Sequence, residues 1–190
     1  MFKELVKKAR SYRRFDNSYV VSEEMLIDLV DTARITASAA NRQPLKYIVS
    51  NDREYNNKIF SCLGWAAYLT DWNGPDDTEQ PSAYVILYSD MQFIPHLNFD
   101  PGIAAQTIML SATERELGCC MIASFDKSKL KKILGLSIEY EIVLVIAIGK
   151  PNEEIILDEV SEDGSIKYWR DENDAHHVPK RKLADILTIL

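Results

Sequence analysis

Residues 140–149 read Tyr-Glu-Ile-Val-Leu-Val-Ile-Ala-Ile-Gly and form the most apolar stretch of the chain. Half of these side chains are β-branched, and a short continuous apolar run of this kind is typical of a strand buried on both faces. We therefore expect this strand to lie at the centre of a sheet. Its apolar part, residues 142–148, is far too short to span a membrane, which takes about 20 residues.

The sequence on either side of this strand alternates between strand and helix patterns. Further strands are expected at residues 45–50, 83–89 and 119–124. Helices are expected at residues 2–8, at 55–69 and at 99–117, with Gly118 as the stop of the last of these. Two more helices are expected to begin at the N-caps Ser22 and Asp126. A final helix is expected at the C-terminus, where Leu183, Ile186, Leu187 and Leu190 have helical spacing. The helices differ in length and two loops are long, so the pattern favours a three-layer α+β fold with a mixed sheet over a regular doubly wound sheet.

Length and composition predict one domain covering residues 1–190. A net charge of -7 argues against broad nucleic-acid binding, which needs a basic surface. The N-terminus lacks the apolar core of a signal peptide. The three cysteines, Cys62, Cys119 and Cys120, have neither metal nor disulfide spacing, and adjacent residues of a strand point to opposite faces. We therefore expect a reducing, cytoplasmic location.

The first segment whose residue types suit ligand binding is Arg10-Ser11-Tyr12-Arg13-Arg14-Phe15. Three guanidiniums and a serine hydroxyl at a turn can clamp a phosphate, because the planar guanidinium binds two phosphate oxygens and keeps its charge. The alternative is a solvated basic turn in which Arg13 and Arg14 pair with Asp16 or with surface acids.

The second segment is Ser38-Ala39-Ala40-Asn41-Arg42-Gln43-Pro44. Its small residues let a flat ring approach the backbone, and the amides of Asn41 and Gln43 both donate and accept hydrogen bonds, which suits the mixed edge of a flavin pyrimidine ring. The alternative is an ordinary polar loop between a helix and a strand.

Two further segments are less specific. Residues 100–106, followed by 110–112 and 116–118, carry small side chains on one helix face, which suits a planar ligand or a neighbouring helix equally well. The tail places Lys180 and Arg181 after His176 and His177. The two basic residues can add charge for a phosphate. The histidines lack a third metal ligand at a suitable spacing, so a surface or interface role is favoured over a metal site.

The order of these segments resembles the nitroreductase family of FMN-dependent NAD(P)H oxidoreductases. The pattern runs R-S-x-R-x-F at residues 10–15, S-x-x-N-x-Q-P at 38–44, D-x-G-x-A-x-Q at 100–106, L-G at 117–118, I-G-x-P at 148–151 and V-P-K-R at 178–181. It covers nearly the whole chain. The resemblance implies a three-layer α/β/α sandwich with a mixed, mostly antiparallel central sheet and an intertwined homodimer whose flavin lies at the interface.

The resemblance also implies a role for each matching residue. Arg10, Ser11 and Arg13 would hold the FMN phosphate and ribityl chain, with Arg14 at a variable basic position. The remaining matches would contact the pyrimidine edge, the reactive ring nitrogen and the phosphate: Ser38, Ala39, Asn41 and Gln43; Leu117 and Gly118; Lys180 and Arg181.

Four positions depart from the family pattern: Ala37, Leu45, Thr107 and Glu116. Glu116 stands where glycine is usual. A carboxylate beside the ring would disfavour an anionic reduced flavin, whereas a carboxylate in solvent would have no such effect.

The implied activity is a ping-pong cycle in which NADH or NADPH reduces the flavin and a small oxidant, such as a nitroaromatic or a quinone, then reoxidises it. The protein needs no dedicated base for this cycle, and the sequence has no recognisable catalytic constellation and no metal site, so we expect no catalytic side chain. The alternatives are a non-catalytic flavin-binding dimer, acting as a sensor or carrier, and a flavin-consuming relative.

Overall fold

The computed structural model describes residues 1–97 and 99–190. They form two compact units, one made of Met1–Trp65 with Gly74–Asn152 and the other of Ala66–Asn73 with Glu153–Leu190. The single domain expected for residues 1–190 stays a prediction.

The first unit is built on a five-stranded sheet. Its strands are β1 (Phe15–Asp16), β2 (Leu45–Ser50), β3 (Ala83–Asp90), β4 (Gly118–Ile122) and β5 (Tyr140–Pro151). β5 is central, as expected: β3 pairs with one of its edges, while β4 and β1 pair with successive parts of the other. β2 pairs with the outer edge of β3. All of these pairs are antiparallel, and a parallel bridge joins Ser11 to Cys119.

Within the described residues, the α-helices of this unit are α1 (Phe2–Lys8), α2 (Glu23–Arg34), α3 (Arg53–Phe60), α4 (Asp100–Glu114) and α5 (Lys127–Ile133), and short 3-10 helices lie at Ala39–Asn41 and Met91–His96. The side chains of Ser22, Asp52 and Asp126 accept hydrogen bonds from backbone N–H groups of the first turns of α2, α3 and α5, as N-caps do. Over the described residues, none of the helices is both long enough and apolar enough to cross a bilayer.

The helices cover both faces of the sheet. Apolar residues of α2 and α4 pack with Val85, Leu87 and Ile146 on one face. On the other face, residues of α3 and α5 pack with Ile86 and Val145. Cys119 and Cys120 are divided between the two faces in the same way. The three-layer α/β/α expectation with a mostly antiparallel sheet is therefore confirmed.

Two helices end earlier than expected. α3 stops at Phe60 instead of residue 69, and α4 stops at Glu114 instead of residue 117. Gly118 is not the helix stop, because it already belongs to β4. The left-handed backbone that ends many helices is adopted by Glu116 instead, with φ of 59°.

The second unit contains a three-stranded sheet of β6 (Ile155–Glu159), β7 (Trp169–Arg170) and β8 (His176–Lys180). β8 lies between the others, parallel to β6 and antiparallel to β7. The prediction of a C-terminal helix over residues 183–190 is wrong. Only Leu183–Asp185 form a short 3-10 turn, and the apolar side chains of this segment are exposed. A segment this short is marginal as a helix in water unless its apolar face is packed.

Candidate functional site

The loop between α2 and β2 has a strained backbone. Ala40, Asn41 and Gln43 have φ values of 51°, 52° and 49°. A non-glycine residue in this left-handed region costs roughly 1–3 kcal/mol. Three such residues within four positions persist only where other contacts hold the loop, and loops of this kind are concentrated at ligand sites.

Asp100 supplies those contacts. Its Oδ2 accepts a hydrogen bond from Ser38 Oγ at 2.5 Å, and its Oδ1 accepts one from the backbone N–H of Ala39 at 3.0 Å. Ser38 Oγ in turn accepts the backbone N–H of Gln43 at 2.9 Å. Asp100 is the first residue of α4 and is only 5% exposed. One buried carboxylate thus fixes both ends of the strained segment.

The same loop presents a paired donor and acceptor. Gln43 Nε2 donates to Asn41 Oδ1 at 3.1 Å and to the Asn41 carbonyl at 3.3 Å. Each amide thereby fixes the orientation of the other. Across the described residues, Asn41 Nδ2 and Gln43 Oε1 have no hydrogen-bond partner, and both side chains are exposed. Together they offer an NH₂ donor and a carbonyl acceptor, which match the C=O and N–H groups of a pyrimidinedione edge.

A cavity of about 170 Å³ lies behind the loop. Its walls include Ala37, Ser38, Gln43, Tyr47 and Asp100. Burial, assisted by the negative charge of Asp100, raises the pKa of Tyr47, so this phenol stays neutral. Sites for drug-sized ligands usually measure about 300–1,000 Å³. The cavity is therefore too small to enclose a cofactor.

The arginine segment lies after α1. Arg10 donates from Nε to the Ala9 carbonyl and from Nη2 to the Val6 carbonyl, each at 2.7 Å, and so covers the C-terminal end of that helix. Partial burial lowers the pKa of Arg10. Arg13 Nη1 donates to the Ser11 carbonyl at 3.2 Å. A guanidinium carries five N–H donors, so the two bonds of Arg10 leave further N–H donors on that residue for a phosphate.

Arg14 is placed differently. Its Nε lies 3.3 Å from Glu79 Oε2, and both side chains are only about a fifth exposed, at 18% and 21%. Its charge is therefore already compensated. The alternative interpretation of this segment was that its arginines pair with acidic residues. Arg14 does so, with Glu79 as its partner.

The loop and the arginine segment lie at opposite ends of α4. Asp100, beneath the loop, begins this helix. Tyr12 packs on Gly118, just beyond its C-terminal end, and the Tyr12 N–H donates to the Cys119 carbonyl at 2.9 Å. A helix of 15 residues is roughly 22 Å long at 1.5 Å per residue.

The predicted cofactor residues thus fall into separate groups within one chain. One group comprises Ser38, Ala39, Asn41 and Gln43; the other comprises Arg10, Ser11, Arg13 and Arg14. Lys180, at the end of β8, and Arg181 are exposed residues of the second unit.

Leu117 and Gly118 act in packing. Leu117 is 2% exposed and belongs to the core beneath α4. A Cβ on Gly118 would lie 2.8 Å from the Tyr12 ring and 2.8 Å from Pro151. The missing side chain therefore lets the arginine segment lie directly on β4.

Glu116 points to solvent. Its side chain is 84% exposed, and Oε2 lies 3.1 Å from Lys150 Nζ. Within this chain, its carboxylate is therefore solvated and paired with a lysine.

His177 is held between two carboxylates in the second unit. Its Nδ1 lies 2.7 Å from Asp158 Oδ2, and its Nε2 lies 3.5 Å from Asp171 Oδ2. The ring stacks on Trp169 with centroids 4.2 Å apart. Because the carboxylates meet opposite sides of the ring, they cannot share one metal ion with it. No group of three possible ligands forms a metal site within residues 1–97 and 99–190.

Sequence reasoning missed two important acids, Asp100 and Glu79. Asp100 carried a signal, because it opens the D-x-G-x-A-x-Q helix next to a proline, but its partner Ser38 is 62 positions away in the sequence. Glu79 lies in a polar segment with no pattern that distinguishes it from its acidic neighbours.

Comparison with known proteins identifies relatives that cover most of the chain. Residues 6–67 and 76–150 match the model of the nitroreductase family. The "Putative NAD(P)H nitroreductase Spy0809" of Streptococcus pyogenes serotype M6 is 25% identical over 197 residues, covering 85% of this chain and 98% of that protein.

Two solved structures are similar in fold. One is described as a putative NAD(P)H:FMN oxidoreductase from Staphylococcus epidermidis, with a TM-score of 0.72, 21% identity, and coverage of 100% of this chain and 96% of that one. The other is a putative nitroreductase in complex with FMN from Exiguobacterium sibiricum, with a TM-score of 0.66, 20% identity, and coverage of 80% and 89%.

Proposed function

Because the chain belongs to the nitroreductase family, we propose that it is an FMN-dependent oxidoreductase that takes hydride from NADH or NADPH and passes it to a small oxidant. The observation that carries the proposal is the strained loop that presents Asn41 Nδ2 and Gln43 Oε1 as a fixed donor and acceptor. The descriptions of similar proteins, which name NAD(P)H and FMN, support the choice of cofactor and electron donor.

The residues present fit FMN at both of its polar parts. Arg10, Ser11 and Arg13 provide charged and hydroxyl donors for the phosphate and ribityl chain, and charge-assisted bonds of this kind are among the strongest in proteins. Asn41 and Gln43 provide the complementary pair for the pyrimidine edge. Gly118 lets Tyr12 of this segment lie directly on β4. Arg14, Leu117 and Gly118 stay proposed contacts of the cofactor. Lys180 and Arg181 are proposed as further phosphate contacts. When bound, FMN supplies the hydride-transfer chemistry.

We propose that the complete site needs two copies of the chain. The arginine segment and the loop that holds Asn41 and Gln43 contact opposite ends of α4, which is roughly 22 Å long, and the cavity behind the loop is too small for the cofactor. A homodimer that brings the arginine segment of one protomer to the loop of its partner satisfies both requirements. The exposed apolar residues after Lys182 supply surface for such an interface.

The role of the protein is to bind, orient and exclude water, and no side chain is proposed as a catalytic acid, base or nucleophile. The Ser38 proton is committed to Asp100. Cys119 is buried, and burial raises the pKa of its thiol, which keeps it protonated and unreactive. In a ping-pong cycle, the nicotinamide leaves before a nitroaromatic, a quinone or a similar oxidant takes its place. The three free, buried cysteines support a cytoplasmic location.

The test is direct. Purified protein should be yellow, release FMN and not FAD on denaturation, and lose its flavin absorbance when NADH or NADPH is added without oxygen. A colourless protein that takes up no added FMN would overturn the proposal. Bound FMN that neither nicotinamide reduces would identify the chain as a flavin-binding protein without reductase activity.

A further inference from the structure

We propose that Asp100 is a positioning residue that sets the ring-recognition pair, Asn41 and Gln43, and thereby gives the site its preference for a pyrimidine edge with a free N–H. This inference rests on the proposed function for the identity of the cofactor. Asp100 lies beneath the loop, so it contacts neither the phosphate segment nor the ligand, and it acts only through the loop.

The chemistry of the hydrogen bonds explains why a carboxylate is needed. Two donors, the Ser38 hydroxyl and the Ala39 N–H, converge on the two oxygens of Asp100. An ionised carboxylate accepts at both oxygens and donates nothing. An asparagine at this position would satisfy only one of the two donors and would turn an NH₂ group towards the other. The position also suits a negative charge, because it lies in the first turn of α4, where the helix dipole is positive.

The effect passes from Asp100 to the ring pair through Ser38. Because the Ser38 proton goes to Asp100, a lone pair of its oxygen is directed at the backbone N–H of Gln43. Ala39 and Gln43 are thereby fixed on either side of the left-handed residues Ala40 and Asn41. Without the carboxylate, these residues can relax to lower-energy backbone conformations, and the Asn41 and Gln43 amides lose their common orientation.

The phosphate segment is independent of this arrangement. Arg10 and Arg13 are held by carbonyls of α1 and of their own turn, and they lie beyond the other end of α4. Loss of Asp100 should therefore reduce the selectivity between flavins that differ in the pyrimidine ring. It should leave unchanged the selectivity between flavins with and without the phosphate. General destabilisation would lower the affinity for all flavins equally.

The experiment compares wild type with Asp100→Asn. Asp126→Asn is the matched control, because it removes a carboxylate that caps the start of α5 and accepts the Lys129 N–H at 2.9 Å. Flavin fluorescence quenching gives Kd for FMN, for riboflavin and for 3-methyl-FMN, which lacks the ring N–H. Wild type should prefer FMN over the methylated analogue by about fivefold or more, the worth of one hydrogen bond of about 1 kcal/mol.

In Asp100→Asn, the ratio of the Kd for 3-methyl-FMN to the Kd for FMN should fall to nearly one. The ratio of the Kd for riboflavin to the Kd for FMN should stay at the wild-type value. Asp126→Asn should keep both preferences. If wild type binds FMN and Asp100→Asn keeps its preference for FMN over 3-methyl-FMN, the positioning role is overturned while the proposed function stands. If wild type binds no FMN, the proposed function falls, and the positioning role falls with it.

A second readout needs no cofactor. Arg42 is exposed within the loop, so trypsin cleavage after Arg42 in flavin-free protein reports how firmly the loop is held. Asp100→Asn should be cut there several times faster than wild type and than Asp126→Asn, at a temperature where all three are folded by circular dichroism. Equal cleavage rates would overturn the role of Asp100 in holding the loop.

Discussion

Glu116 and Lys150 form an exposed ion pair, 3.1 Å between Oε2 and Nζ, that links the turn after α4 to β5. The backbone of Glu116 is left-handed, with φ of 59°. An exposed ion pair contributes little to stability, whereas a non-glycine residue in this conformation costs about 1–2 kcal/mol. The strain should therefore outweigh the pair.

Glu116→Gly is accordingly expected to raise the free energy of unfolding by about 0.5–1 kcal/mol, measured by urea denaturation. Glu114→Gly is the matched control, because the same change at the last residue of α4 should destabilise by up to about 1 kcal/mol. A loss of stability in Glu116→Gly would show that the ion pair with Lys150 outweighs the backbone strain.

Gly118→Ala should disturb the arginine segment. The new Cβ would meet the Tyr12 ring and Pro151 at 2.8 Å, and overpacking of this kind costs about 1–3 kcal/mol. We expect lower thermal stability and weaker FMN binding. Gly102→Ala is the control, because nothing lies within 4 Å of its Cβ. It should be neutral or stabilise by up to about 1 kcal/mol. Wild-type behaviour in Gly118→Ala would mean that Tyr12 does not need this close approach.

Replacing both Arg10 and Arg13 by alanine should weaken FMN binding by several kcal/mol, at about 1.5–3 kcal/mol for each charge-assisted bond lost. Riboflavin, which lacks the phosphate but keeps the ribityl chain, should lose much less affinity than FMN. A control with Arg53→Ala and Lys58→Ala removes the same charge from α3. Arg14→Ala should affect stability more than FMN affinity, because Arg14 is already paired with Glu79. Unchanged FMN affinity in the double variant would place the phosphate elsewhere.

A mixing experiment tests whether two chains share each site. One chain carries Arg10→Ala with Arg13→Ala, and the other carries Asn41→Ala with Gln43→Ala. Each should bind FMN weakly by itself. After refolding together, random pairing should restore about one quarter of the sites, since each mixed dimer has one undamaged site and one doubly damaged site. Recovery of no FMN binding by the mixture would indicate that each site forms within one chain.

His177 should make the stability of the second unit depend on pH. The hydrogen bond to Asp158 is the main reason that the pKa of His177 is raised from 6.5, and Asp171 adds to the effect. Since the folded pKa lies above the unfolded value, the stabilisation is fully present below pH 6.5 and is lost as pH rises through the folded pKa. Urea denaturation across this range should show the loss, and His177→Gln should remove it. NMR titration that gives a pKa of 6.5 or lower would contradict the prediction.

The bounds of α1 and β2 follow from the sequence, and so do the caps at Ser22 and Asp126, because apolar periodicity and capping chemistry act over a few residues. The central position of β5 follows from its apolar composition. The predicted end of α4 was wrong because it depends on the burial of Leu117 and on the turn at Glu116. The predicted end of α3 was wrong because the chain after Phe60 pairs with residues distant in the sequence, through the Leu63–Phe125 bridge and the bond from the Gly64 N–H to the Ser124 carbonyl.

The site was predicted in its parts and not in its arrangement. Sequence identified the arginine segment and the polar loop by their chemistry. It did not reveal that α4 separates them, because that depends on which end of the helix each segment contacts. The roles of Ser38 and Asp100 were hidden for the same reason, since their hydrogen bond joins residues that are distant in the chain.

The length of α4 has a consequence for how cofactor content responds to protein concentration. If each site is shared between two chains, every FMN bound also holds two protomers together, and the two equilibria are linked. Dilution that separates the protomers should release FMN, and added FMN should strengthen the association by the same factor. Flavin occupancy would then report directly on how much of the protein is paired.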